Sequence, residues 1–222
     1  MLRLISFADV ITLTNAVFGF LAILLVLSGQ PWYSAVFIFL GLLADGLDGY
    51  VARRLGNSTI GEYLESLADM LSLSVAPLLL VYATFKGMLP AEGWLLPLFG
   101  LVLMFSLVCS FIRLSSFSFL KDSQFFLGLP TSVSALFLVA LSILKPDLAI
   151  VVPVILLLAF LMISPVRFPK PGIKLNTVTA ALIILVILFH EASSIIIVYI
   201  LLLALVLYVI VGPIYLTIQK RP

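Results

Sequence analysis

Asp45-Gly-Leu-Asp-Gly-Tyr-Val-Ala-Arg-Arg54, continued at Gly61, Glu65 and Asp69, stands between two apolar stretches, 32–44 and 70–85. Such stretches, as parts of segments of about 20 residues, belong in a lipid bilayer. Carboxylates are costly there: one Asp at a helix centre costs roughly 2.5–3.5 kcal/mol, so four uncompensated acids would cost on the order of 10 kcal/mol. The reading that follows is a bundle of membrane helices in which two neighbours carry the acids, with something positive binding them.

The rest of the chain has the same character. Of its 222 residues, 64% are hydrophobic and 10% charged, and mean hydropathy is +1.33. A soluble chain is about half apolar and a quarter charged. Eight apolar stretches, near 8–28, 32–55, 61–85, 93–119, 127–144, 147–165, 174–190 and 193–217, are joined by short polar connections. They predict an all-α, polytopic membrane helix bundle of about eight transmembrane helices. Residues 1–222 read as one integral-membrane domain, since no loop is long enough to hold a second and no internal repeat is visible. The opening residues lack a clear cleavage site, so the first stretch is expected to be a retained span.

Lysine and arginine set the orientation. With the N-terminus in the cytosol, Arg3, Arg53, Arg54, Arg113, Lys121, Arg167, Lys170, Lys174, Lys220 and Arg221 fall at cytosolic ends, and only Lys86 and Lys145 fall outside. Both termini and the acidic stretch are therefore expected on the cytosolic side of the cell membrane. The single cysteine, Cys109, excludes a disulfide within the chain and a Cys-based metal site, and it reads as a buried, inert thiol. A net charge of +2 is too small to suggest a nucleic-acid partner.

On a helix, with about 100° per residue, Asp45, Asp48, Gly49 and Ala52 share one face. Gly61, Glu65 and Asp69 form a second stripe at i, i+4 and i+8. If the second and third spans are antiparallel neighbours, four carboxylates converge into an all-oxygen environment suited to a hard divalent cation. Gly49 and Ala52 leave room for a bulky ligand beside it, and Arg53 can neutralise phosphate oxygens. Together these suit a diphosphate. The bland alternative pairs one intramembrane acid with a basic residue, as Asp48 with Arg53 or Arg54, but it leaves the other acids and the small residues unexplained.

The pattern Asp-x2-Asp-Gly-x2-Ala-Arg, then Gly-x3-Asp-x3-Asp, is the signature that this stretch resembles: that of the CDP-alcohol phosphotransferases. Asp45, Asp48, Gly49, Ala52, Arg53, Gly61 and Asp69 match it, and Glu65 stands where that family has its third aspartate. The resemblance implies a CDP-linked lipid held through a pair of divalent metal ions, Mg²⁺ or Mn²⁺. An alcohol attacks the β-phosphate and CMP leaves. It implies Asp45, Asp48, Glu65 and Asp69 as metal ligands and Asp69 as general base, a catalytic role that a carboxylate one turn from a ligand can fill. It gives Gly49, Ala52, Arg53 and Gly61 to the CDP-lipid. A homodimer is the assembly implied.

Wider similarity narrows the branch. Glu65-Ser-Leu-Ala-Asp69-Met-Leu-Ser-Leu-Ser-Val-Ala-Pro77 resembles the phosphatidylserine and archaetidylserine synthases. So do Asp9-x2-Thr12-Leu-x-Asn15-x3-Gly19, Phe111-Ile-Arg113-Leu and Phe126-Leu-Gly128-Leu-Pro130-Thr131. The expected acceptor is L-serine and the donor CDP-diacylglycerol or CDP-archaeol. Serine's carboxylate requires a cation, for which Arg113, Arg167 and Lys170 are the candidates. Arg113 also reads as a positive-inside anchor, and the Arg167–Lys174 loop as a contact for the headgroups of membrane lipids. His190 falls on the outer side. Rival readings are the same chemistry with inositol phosphate or glycerol phosphate as acceptor, and an ion transporter with the acids as a relay. No repeated halves support the transporter.

Overall fold

The computed structural model describes residues 5–55, 58–90, 93–116, 125–189 and 194–219, with backbone alone at 52–55, 174, 194, 218 and 219. Nine α-helical segments are described: α1 (Phe7–Leu27), α2 (Pro31–Leu55), α3 (Gly61–Asp69), α4 (Ala76–Phe85), α5 (Leu95–Ser116), α6 (Thr131–Leu144), α7 (Leu148–Ile163), α8 (Ile173–Leu188) and α9 (Ser194–Gln219). A π-helical turn, Met70–Val75, joins α3 to α4, and Gly61–Met88 runs as one helical body of 28 residues. Pro77 lies at the start of α4. Its missing N–H removes one hydrogen bond from the preceding turn, which the wider turn accommodates.

Local signals set the ends. Ser6 and Asp9 form a reciprocal capping box at the start of α1, satisfying donors that the first turn leaves open. Pro31 opens α2, where its fixed φ suits a first helical turn. Lys145 takes the left-handed conformation (φ 48°) that closes α6.

Helix α1 is turned inside out relative to a soluble helix. Its buried residues are Ala8, Asp9, Thr12, Asn15, Gly19, Ala22 and Val26, spaced by threes and fours. Phe7, Val10, Leu13, Val17, Phe20, Leu24 and Leu27 face outward. Small and polar residues inside with large apolar ones outside is the pattern of a membrane bundle. Among the described residues, five helices are long and apolar enough to cross a membrane: Phe7–Leu27, Pro31–Val51, Gly61–Met88, Leu95–Ser116 and Ile195–Thr217. Helices α6, α7 and α8 are shorter than the expected stretches at 127–144, 147–165 and 174–190. Fourteen residues give α6 a length of about 21 Å, below the roughly 30 Å of a hydrocarbon core. Residues 134–142 of α6 are buried without interruption, so it is a central post packed against α4 and α9.

The missing turn of α6 went into a feature the helical pattern did not foretell. Strands β1 (Phe125–Leu127) and β2 (Arg167–Pro169) pair antiparallel, Phe126 opposite Phe168. Gly128 follows with φ +75°, and a Cβ there would lie 2.3 Å from the Met162 carbonyl. Only glycine permits that turn without collision.

Helix α1 packs along α2 and also against α3 and the π turn. A Cβ on Gly19 would meet the Ser72 backbone at 2.7 Å, so α1 touches the π turn main chain to main chain. Gly19→Ala is expected to overpack this contact at a cost of about 1–3 kcal/mol, seen as a lower unfolding temperature in detergent. Gly100→Ala, at a position with open space, serves as control and should leave that temperature unchanged.

Candidate active site

The acids lie where α1, α2 and α3 meet. Asp45 and Asp48 stand one turn apart on α2, and Glu65 and Asp69 one turn apart on α3. Each of Asp45 and Asp69 lies within electrostatic range of the other three carboxylates. The two pairs expected from spacing thus stand within electrostatic reach of each other. Asp48 is 3% exposed and Asp69 8%, so water does little to separate the charges.

Helix α1 supplies the donors. Thr12 Oγ1 donates to Asp48 Oδ2 at 2.7 Å, with the Ala8 carbonyl at 3.2 Å as a second acceptor. Asn15 Nδ2 donates to Asp69 Oδ1 at 3.0 Å. Both side chains are buried, Asn15 completely. These contacts fix one oxygen on each acid. Asp69 is also the last residue before the π turn. Such turns change the angular register of a helix and are frequent at functional sites.

A small open cleft lies beside Asp48 and Glu65, lined by Ala8, Asp9, Thr12, Asp48, Gly49, Gly61, Glu62 and Glu65. Gly49 and Gly61 are thus at its wall. Gly61 has a steric reason to lack a side chain: a Cβ would come within 3.2 Å of Asp9 Oδ1 and 3.3 Å of Ser58 Oγ. Ala52 and Arg53 continue α2 by their backbone, and their side chains lie outside the described residues. So do the side chains of Arg54 and Lys174, and the whole of Lys121 and His190. Arg113 is buried, at 7% exposure, in the last turn of α5, which a water-seeking anchor would not be. Arg167 opens β2 and Lys170 directly follows it, at the two-stranded ribbon of β1 and β2, over the rings of Phe125 at 4.8 Å and Phe126 at 5.2 Å. They stand on different elements from the acids.

Sequence reasoning placed Asp9, Thr12 and Asn15 in a pattern of resemblance and gave them no role. Their signal was legible: three polar residues at spacings of three on an otherwise apolar helix share one face.

Residues 5–210 match the family model for CDP-alcohol phosphatidyltransferase. The chain belongs to that family. It is 35% identical to the CDP-diacylglycerol–serine O-phosphatidyltransferase of Methanocaldococcus jannaschii, over 76% of each chain. It is 33% identical to the Bacillus subtilis protein of the same name, over 72% of this chain and 87% of the relative. The archaetidylserine synthase of Methanothermobacter thermautotrophicus is 34% identical over 59% of this chain and 55% of its own. The protein is accordingly a CDP-alcohol phosphotransferase and an integral membrane protein.

The family is in general dependent on a divalent metal. Asp45, Asp48, Glu65 and Asp69 fit such an ion in chemistry: all are hard oxygen donors, and their gathered charge calls for a cation. Among the described residues, no three already close on one point as a ready-made ligand set.

Thr12→Val keeps the shape and removes the donor to Asp48. Losing a hydrogen bond to a charged group costs about 1.5–3 kcal/mol, so CMP release should fall about tenfold or more. Thr12→Ser should stay near the parent rate. A valine variant at the parent rate would remove Thr12 from the site.

Proposed function

We propose that this enzyme transfers the phosphatidyl-type group of a CDP-linked lipid, CDP-diacylglycerol or CDP-archaeol, to the hydroxyl of L-serine and releases CMP. The observation that carries the chemistry is the meeting of Asp45, Asp48, Glu65 and Asp69 across α2 and α3, braced from α1. The choice of acceptor is supported by the names of the relatives.

The seryl oxygen attacks the β-phosphorus of the CDP-lipid. A serine O–P bond forms as the P–O bond to CMP breaks, and CMP leaves with that electron pair. The hydroxyl proton passes to the Asp69 carboxylate, which Asn15 holds by its other oxygen. Asp45, Asp48, Glu65 and Asp69 would hold the divalent ions, Mg²⁺ or Mn²⁺ and two in number. When bound, these ions supply charge neutralisation on the diphosphate and orient the leaving group. Glu65 reaches one methylene further than the aspartate of the family pattern. By the family resemblance, Gly49, Ala52 and Gly61 would leave space for the nucleotide, and Arg53 would neutralise its diphosphate. Arg113, Arg167 and Lys170 are the cations available to the serine carboxylate.

Eight spans with both termini in the cytosol put this site at the cytosolic face of the cell membrane, a reading supported by the lysine and arginine distribution. Membrane lipids surround the bundle, and a homodimer is the assembly in keeping with the family resemblance.

With labelled CDP-lipid, CMP release should require serine and should not occur with inositol phosphate or glycerol phosphate; release with either of those alone would change the acceptor. Asp69→Asn keeps the shape but accepts no proton. General-base catalysis contributes typically 10²–10⁴-fold, so turnover should fall by about that factor while CDP-lipid binding persists. Near-parent turnover would take Asp69 out of the base role.

A further inference from the structure

The donor that holds Asp69 is itself held from behind. Asn15 is completely buried, and its Nδ2 donates to Asp69 Oδ1 at 3.0 Å. An ionised carboxylate only accepts hydrogen bonds, so the nitrogen end of the amide must face Asp69 and the oxygen end must face away. That oxygen, Asn15 Oδ1, is buried and has no hydrogen-bond partner. It lies against Gly41 of α2. A Cβ on Gly41 would stand 2.9 Å from Asn15 Oδ1, closer than a methyl group tolerates, and 3.3 Å from Ser72 Cβ, a contact that needs to give by only a few tenths of an ångström.

Three elements thus meet on a position without a side chain. Gly41 is buried and lies one turn before Asp45, on the face of α2 that carries Asp45 and Asp48. Ser72 belongs to the π turn, three residues beyond Asp69. Gly41 makes no turn, and glycine is a poor residue for a helix interior; what its missing side chain gains is room for the amide. We propose that Gly41 is a positioning residue for Asp69: the space it leaves seats the Asn15 carbonyl, which aims Nδ2 at Asp69 Oδ1 and holds the carboxylate in the orientation that takes the seryl proton. This rests on the reading of Asp69 as general base above. Gly41 carries no reactive group, so its effect passes through Asn15 and falls on the proton-transfer step.

The test is steady-state kinetics of CMP release by the full chain in proteoliposomes, with serine and CDP-lipid varied separately, on Gly41→Ala, Asn15→Ala and the double variant. Gly41→Ala should lower kcat about tenfold or more, since a displacement of about 1 Å can cost up to about 10²-fold. The KM values for serine and CDP-lipid should change by no more than about twofold, because the loss is confined to the transition state. Asn15→Ala removes the donor itself and should lower kcat on the same scale. In the double variant the added methyl has no amide oxygen to meet. Its kcat should match that of Asn15→Ala within about twofold, where independent losses would multiply to about a hundredfold or more, and its unfolding temperature should also match. That comparison decides the matter if Gly41→Ala alone does not fold. A parent-like kcat in Gly41→Ala, a loss confined to KM, or a double variant that is slower still or fails to fold overturns the proposal. Asp69→Asn in the same assay separates the two readings. Parent-like turnover there removes the base role and this proposal with it, whereas a slow Asp69→Asn beside a parent-like Gly41→Ala removes only the role of Gly41.

Discussion

Mutual repulsion among four carboxylates in a poorly hydrated setting is the constraint around which the N-terminal half is organised. Two like charges about 4 Å apart repel by roughly 4 kcal/mol at an effective dielectric constant near 20. Holding Asp45, Asp48, Glu65 and Asp69 together therefore requires donors on the protein side and a cation on the ligand side. The donors come from α1, where Thr12 and Asn15 each bond one acid. Those two bonds are possible only because α1 approaches α2 and the π turn closely, which Gly19 permits. The close packing of small residues and the siting of the charges are one design, since a bulky α1 would push its donors out of reach.

The acidic cluster and the buried or ring-stacked cations stand on different elements. The acids and the cleft belong to α1, α2 and α3, whereas Arg113 and the ribbon belong to α5 and the connections flanking α6 and α7. The central helix α6, buried along most of its length, shares one core with Phe168 of the ribbon. Its short span leaves residues 125–129 free to form the ribbon and its turn, instead of a further helical turn.

Much of this was legible in the sequence. Hydropathy located all the helices to within a few residues at most ends, because an apolar run in a membrane protein has little choice but to be a helix. Helical spacing placed Asp45 with Asp48 and Glu65 with Asp69, and the structure brings the two pairs together. The ribbon was not legible: strands of three residues carry too little alternation to be distinguished from loop. The π turn was hidden for a related reason, since Pro77 signals a disturbed helix without saying how the lost bond is absorbed. Tyr208 sits in an apolar run of α9 that reads as packing, and Pro169, whose carbonyl accepts from its hydroxyl, is 39 residues distant. Arg113 read equally as an anchor and as a site residue, and its burial speaks only against the anchor.

Direct titration of Mn²⁺ into the purified protein, followed by electron paramagnetic resonance of the free ion, addresses the central claim without relying on turnover. Saturable binding is expected in the parent, strongly weakened by Asp45→Ala or Asp48→Ala alone, because each removes an anionic oxygen donor from a shared set. Binding of unchanged affinity and stoichiometry in a variant lacking both aspartates would contradict the assignment of this carboxylate cluster as the metal site.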